Sequence, residues 1–371
     1  MIFYTSYKYY FLYLSIIYTV MRQTYTYPDE LNLVSVLGES ISKRSVQNLS
    51  NYYVSGTSGS DSSGNGMISN PWKTISKAIT VLSAISGDIT ATINIAAGTY
   101  MESPYIMKSG ITLIGSSSIS SNNTIINGNV SFYMTENLLS FSIGGFQNIQ
   151  LNGQLGHIQK NINKSSLYIS DCLFVPPNNL PAINTSGTNG GILGYMTIRN
   201  CLIYMCNNVE AIRNNNNDIR MYNTQLTNNP SLQTGKKSFI TVSGAGQINL
   251  SGCSITQDSS DINVEPLINI NNTATVNTGS TINNCMLVYT SAVNQGADKR
   301  CMNFSGTVDM NTYTIINNYF QCEGQPDNYC VYVNGSPQLK LLIGQNVAAG
   351  SVNGVSPSSS PYNKTLLSSV S

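Results

Sequence analysis

Charge is the first thing this sequence has little of. Asp, Glu, Lys and Arg make up only 9% of its 371 residues, and the formal net charge is +1. That balance supplies neither a basic stripe for nucleic acid nor a cationic face for an anionic membrane. Histidine is scarcer still: His157 is the only one, so a Ser-His-Asp triad would have to use that residue, and a zinc site is disfavoured. The eight cysteines are too sparse for a disulfide scaffold, and no pair has C-x-x-C spacing. The sequence therefore calls for no metal and no cofactor. Long hydrophobic runs are missing as well. At ten residues, the apolar stretch Phe11–Val20 is too short to span a bilayer.

That stretch has the length of a signal-peptide core behind a single charge, Lys8. No small-residue cleavage site follows it, and eight tyrosines crowd positions 1–27. Three readings compete: a poor signal sequence, a partner-docking arm, or an upstream extension of a chain that starts at Met21. The last two are favoured. Residues 1–51 are assigned to an N-terminal extension, with 21–50 a polar arm.

In place of charge there is amide and hydroxyl. The chain has 47 Asn, alongside 41% hydrophobic residues. Regular spacing of the apolar positions argues against disorder and for a β-rich fold with many turns. The bias toward Asn, Ile and Tyr suggests an AT-rich genome. N-x-S/T sequons, Asn129 and Asn249 among them, are expected by chance at this composition.

Six segments share one frame: Leu167–Phe174, Met196–Ile203, Ile219–Leu226, Ile248–Ile255, Ser280–Leu287 and Tyr313–Phe320. The third and last residues of each are apolar. The fifth reads Asp171, Asn200, Asn223, Gly252, Asn284 and Asn317, the residue types that best tolerate a left-handed backbone. Strand, single-residue bend, strand makes one corner of a coil. The following position holds Cys172, Cys201, Thr224, Cys253, Cys285 and Asn318, which predicts a stacked interior ladder. Successive frames are 29, 23, 29, 32 and 33 residues apart, as expected for a short coil with loops of varying length. Leucine-rich repeats would need several fixed leucines per repeat, and propellers need longer blades. The expected fold is therefore all-β, a single right-handed parallel β-helix over residues 52–347, with a Ser-rich tail over 348–371 that reads as extended or as a partner-covered strand.

Upstream, Leu139–Phe146 reads as a degenerate rung and Ile111–Gly115 as an earlier one. Pro71–Ile85 differs: Ile75, Ala78, Ile79, Leu82 and Ile85 recur at helical spacing, with Pro71 at the entrance and Gly87 as the stop. An amphipathic helix here would cap the open end of the solenoid.

The run from Tyr52 to Gly115 resembles the entry of pectin-lyase-like right-handed β-helix proteins. Tyr53-Val54-Ser55 leads into a Gly/Ser/Asp loop, and Asn70-Pro71-Trp72-Lys73-Thr74-Ile75 opens the capping helix. Ala97-Gly98-Thr99-Tyr100 with Glu102 follows, then Gly110–Gly115. With the later rungs the resemblance covers roughly residues 52–350 and gives Trp72 a structural role. It implies a fold and little about activity, because that family holds lyases, hydrolases, esterases and non-catalytic surface proteins. The enzymes' motifs do not carry over. Neither the Gln-Asp-Thr nor the later Asp-Phe motif of the esterases is found, and no rung shows the acidic calcium cluster and downstream Arg of the pectate lyases.

Candidate chemistry is correspondingly thin. A glycosidase needs two carboxyl groups ~5–10 Å apart. Asp258 and Glu323 occupy equivalent frame positions two rungs apart with Thr290 between them, and Asp261 joins from the same turn as Asp258. Solvated turn carboxylates are the plainer reading of all three. Arg199 and Arg220, near the bend on adjacent coils, suggest a weak anion site or two solvated side chains. Tyr204, Tyr289 and Tyr319 follow the bends and would line one lateral face, an aromatic and Asn-rich glycan platform or simply surface tyrosines. Cys322 and Cys330 flank a loop, as a disulfide or, preferably, two free thiols. Cys206 and Cys301 have no assigned role.

The leading expectation is a non-enzymatic structural β-helix displayed on a virion or other extracellular surface, partnered by other structural proteins or by glycans, with no nucleic acid. A polysaccharide lyase or glycoside hydrolase with a lateral groove is the alternative, and a carbohydrate-binding adhesin the third reading. A homotrimer is what resemblance to β-helical spikes implies.

Overall fold

The computed structural model describes residues 50–86, 89–118, 123–134, 142–159, 165–177, 179–187, 194–205, 209–228, 237–258, 265–272, 279–290, 301–306, 312–322, 330–334, 340–349 and 368–369. These residues build three parallel sheets. The entry sheet holds the 11 strands that lead into each bend, from Ser50–Val54 to Lys340–Gly344. The exit sheet also holds 11, from Gly98–Tyr100 to Ser368–Ser369, and includes the strands that leave the bends. The return sheet holds 9, from Tyr105–Ile106 to Val331–Asn334.

One coil shows how the chain travels. Ser165–Ser170 enters, Asp171 bends, Leu173–Phe174 exits, Ile183–Gly187 returns, and Gly194–Arg199 stacks on the starting strand with Leu167 opposite Met196 and Ile169 opposite Ile198. Every neighbouring strand is parallel and one coil away, so each crossover takes the right-handed sense that strand twist dictates. The fold is a right-handed parallel β-helix.

The bend is where sequence sets geometry. Asp171, Asn200, Asn223, Gly252, Asn284 and Asn317 have φ of 56°, 52°, 48°, 64°, 51° and 57°. Each bend N–H still bonds to the next coil: Asp171 N donates to Arg199 O at 3.0 Å and Asn200 N to Tyr222 O at 3.1 Å. The ladder thus turns the corner without losing a donor. Asn148 and Gln345, both at φ 53°, add a rung at each end of the series. The upstream rung is not Leu139–Phe146. Gly144 pairs with Leu167 and Phe146 with Ile169, which sets the frame at Gly144–Leu151. The earlier alignment would have put β-branched Ile143 at the left-handed position, which its side chain resists.

The position after the bend points inward. Ile149, Cys172, Cys201, Thr224, Cys253, Cys285, Asn318 and Asn346 are all buried. Cys172, Cys201 and Cys285 donate Sγ–H to the carbonyl two residues earlier at 3.1 Å, and Thr224 Oγ1 does the same at 3.0 Å. Asn318 and Asn346 extend the ladder differently. Their Nδ2 atoms donate to Ile282 O and Ile315 O at 2.9 Å, while Asn318 Oδ1 and Asn346 Oδ1 accept from Cys285 N and Asn318 N. A buried amide is tolerated there because the stack satisfies both of its ends.

The capping helix runs Ile75–Ser83, shorter than the 71–85 expected. Thr74 is its N-cap and accepts from Lys77 N. Pro71 and Trp72 stay outside because the Trp72 backbone is tied to the first strand: Trp72 N donates to Tyr53 O and Ser55 N to Trp72 O. The Trp72 ring stacks on Tyr52 at 5.5 Å. Ile75, Ala78, Ile79 and Leu82 are buried, whereas Ile85 lies past the helix and is exposed. At the other end, Ala348 and Ala349 belong to strand Val347–Ala349, and Ser368–Ser369 pairs alongside it. The N-terminal extension through Leu49, Gly87, Cys206, Asp261 and Glu323 lie outside the described residues.

Candidate functional site

Asp258 ends strand Ser254–Asp258 with Thr290 as its Cα partner on the next coil. That is the neighbour expected for it. Asp261 and Glu323 lie outside the described residues, so the proposed acidic trio has no measured separation.

The tyrosine platform divides. Tyr289 is fully buried, so it does not stand on a lateral face. Register explains why: Tyr204 aligns through Thr227 and Thr256 with Val288, one residue short of Tyr289, and a one-residue offset reverses the side chain. Tyr319 pairs with Met286 on another row and places its hydroxyl against Gln321 Oε1 at 3.2 Å.

Aromatic and cationic side chains do meet, on the outer face of the entry sheet. There Arg199 pairs with Tyr222 and Thr197 with Arg220, and the row continues from Arg220 to Asn249 to Thr281 and from Tyr222 to Ser251 to Asn283. The Arg199 guanidinium lies 4.7 Å over the Tyr222 ring, and that of Arg220 lies 4.4 Å over Tyr195. Arg220 Nε and Nη2 both donate to Asp218 Oδ2, at 3.0 and 2.8 Å. Asp218 is buried, and its Oδ1 accepts from Asn249 Nδ2 at 2.9 Å. Partial burial opposes the Arg220 charge, but the hydrogen bond and charge of Asp218 outweigh it and raise the guanidinium above its ordinary range. Beside this network lies a groove of about 340 Å³ lined by Arg220, Tyr222, Asn249, Ser251, Thr281 and Asn283. Tyr195, Tyr222, Asn249 and Asn283 escaped sequence reasoning, although alternation carried the signal. Ile219 and Met221 face in, so Arg220 and Tyr222 must face out.

Other described carboxylates serve the scaffold. Asp61 and Glu102 accept backbone N–H groups at the start of the capping helix. Glu210 pairs with Arg213, and Glu265 pairs with Lys237. His157 sits in the return sheet between Phe132 and Thr185, and burial depresses its pKa to about 4. Cys172, Cys201, Cys253 and Cys285 are buried free thiols, and Cys301 and Cys330 are buried as well. Among the described residues no cluster of three or more His, Cys, Asp or Glu could hold a metal. No described helix is long and apolar enough to cross a membrane.

Three stacked parallel sheets, a left-handed bend ladder and a helix closing one end define a capped right-handed parallel β-helix. No family model matches the sequence, and no curated protein matches it. Among solved structures, pectin methylesterase PemA from Erwinia chrysanthemi superposes with a TM-score of 0.43 at 12% identity, over 82% of this chain and 90% of that one. A GH136 lacto-N-biosidase from Eubacterium ramulus gives 0.39 at 10% identity, over 86% and 67%. A rhamnogalacturonan lyase gives 0.30 at 16% identity, over 81% and 74%.

Proposed function

We propose that this chain is a non-enzymatic structural β-helix displayed on a surface, of a virion or a cell, and held there by other structural proteins of the assembly. One observation carries the non-enzymatic part of the reading. Asp61, Glu102, Asp171, Glu210, Asp218 and Glu265 are each engaged in a helix cap, an ion pair or the bend ladder. A carboxylate that already accepts three hydrogen bonds, as Asp61, Glu102, Asp218 and Glu265 do, is a poor proton shuttle and a poor nucleophile, since each bond must break before it can act. Low charge suits a body whose flanks meet other proteins, where buried charge would need a partner. Two measurements test the proposal. Mass spectrometry of purified particles against free secreted material should find the chain in the particles. Incubation with a polysaccharide panel should release neither reducing ends nor unsaturated uronides, and release of either overturns the non-enzymatic reading.

A further inference from the structure

We propose that the groove on the outer face of the entry sheet, between Arg220 and Asn283, binds a neutral sugar ring of a glycan. The proposal adds a ligand to the scaffold reading and does not rest on it.

The donors are already in place. Asp218 holds Arg220 through two N–H bonds, and the guanidinium lies over the Tyr195 ring. Arg199 in turn lies against Tyr222. Side chains fixed in this way give up little rotamer freedom on binding, a cost otherwise of about 0.5–1.5 kcal/mol each. The lining also has the composition that sugars need. Tyr222 offers an apolar ring for C–H groups, while Arg220, Asn249, Ser251, Thr281 and Asn283 offer donors and acceptors around it. At about 340 Å³ the groove falls within the range of roughly 300–1,000 Å³ usual for small-ligand clefts.

Two features choose a neutral ring over an anion. The Asp218 carboxylate stands in contact with Arg220 and offsets its charge, which weakens any field that would draw a sulfate or carboxylate. Asn283 Oδ1 is buried at this groove with no hydrogen-bond partner among the described residues. A buried acceptor without a donor is costly, and a ligand hydroxyl that reaches it relieves that cost. Sugar hydroxyls donate as well as accept. A sulfate or an ionised carboxylate only accepts, and would face Asn283 Oδ1 with another oxygen.

The experiment is a glycan array carrying neutral and acidic oligosaccharides, probed with the full chain, followed by calorimetric titration with the captured glycan. The wild type should capture neutral glycans with millimolar or tighter affinity. Arg220→Ala and Tyr222→Ala should each weaken binding by about tenfold or more, the size of one lost charge-assisted bond or ring contact. Asn283→Leu should lose binding while unfolding no more easily, because it removes the orphan acceptor. Thr241→Ala, on the return sheet, should bind like the wild type. The proposal is overturned by capture of acidic glycans alone, by no capture at all, or by capture that survives both Arg220→Ala and Asn283→Leu in chains with unchanged circular dichroism. Polysaccharide cleavage would refute the scaffold reading and leave this groove to be judged by its own variants.

Discussion

Glu102 accepts the N–H of Ile75 at 3.0 Å through Oε1 and the N–H of Ser76 at 2.8 Å through Oε2, fastening the first coil to the start of the capping helix. Asp61 does the same for Lys73 and Thr74, at 2.9 and 3.0 Å. Two carboxylates from separate segments thus cover successive donors at the positive end of the helix dipole. Glu102→Ala is expected to lower stability in urea by about 1–3 kcal/mol, the cost of orphaned donors. Glu102→Gln, which keeps one acceptor, should lose less. Equal stability of Glu102→Ala and wild type would mean that water replaces the cap at no cost. Burial raises the Asp61 pKa, but bonds from Thr74 and Lys73 and the charge of Lys77 outweigh it, so this carboxyl titrates below its ordinary 3.8. Its contribution is present above that pH and fades as acid protonates the folded chain.

At the bend, Asn200 holds φ 52° and donates Nδ2 to Asp171 Oδ1 at 3.3 Å. Asn200→Val forces a β-branched residue into the left-handed region and should cost about 1–3 kcal/mol. Asn200→Gly, which gives up only the side-chain bond, should stay within about 1 kcal/mol of wild type. Thermal unfolding of the pair measures the difference. If valine and glycine prove equivalent, the bend does not depend on φ.

How much of this was readable beforehand varies with the physics involved. Asn, Asp and Gly repeat at the bend because few side chains survive positive φ, so six corners were visible in the sequence. Gln345 was missed because glutamine carries no such preference, yet pairing of Thr312–Ile316 with Lys340–Gly344 holds it at φ 53°. The interior ladder was legible as cysteines; its continuation through Asn346 was not, since an isolated Asn reads as a surface residue until its stack is known. The groove was half legible. Arg199 and Arg220 stand out beside the bend, but Tyr195, Asn249 and Asn283 come from neighbouring coils, and loops of unequal length hide the register between them. Tyr289 was misplaced for the same reason, by a single residue along the strand.

The thiol ladder makes a chemical prediction. Burial drives the Cys172 thiol well above its ordinary range, the hydrogen bond with Cys253 and then burial do the same for Cys285, and each of the two donates its hydrogen to a carbonyl. Thiolate is the reactive species, so these cysteines should be inert in the native chain. The hydrogen bond with Cys285 holds the Cys253 thiol below its ordinary range, so burial alone must shield it. An aromatic disulfide reagent should label all six buried cysteines, Cys172, Cys201, Cys253, Cys285, Cys301 and Cys330, no faster than the chain unfolds, and completely in guanidinium. Rapid labelling of any of the six under native conditions, located by peptide mapping, would show that the coil opens at that rung.

His157 supplies the pH dependence. It is fully buried, and burial lowers its pKa from 6.5 to about 4. In the unfolded chain the imidazole takes up its proton near 6.5; in the folded chain it resists until about 4. Between those values the unfolded state binds more protons, so stability rises with pH across the window. The contribution is complete above pH 6.5 and is lost as pH falls toward 4, amounting to about 3 kcal/mol for a shift of this size. Phe132 occupies the matching position one coil away, so phenylalanine suits the row. Urea midpoints at pH 7.5 and 4.5 should therefore fall further for wild type than for His157→Phe, with the carboxylates contributing equally to both. Parallel pH profiles for the two chains would show that this imidazole takes up its proton without disturbing the coil.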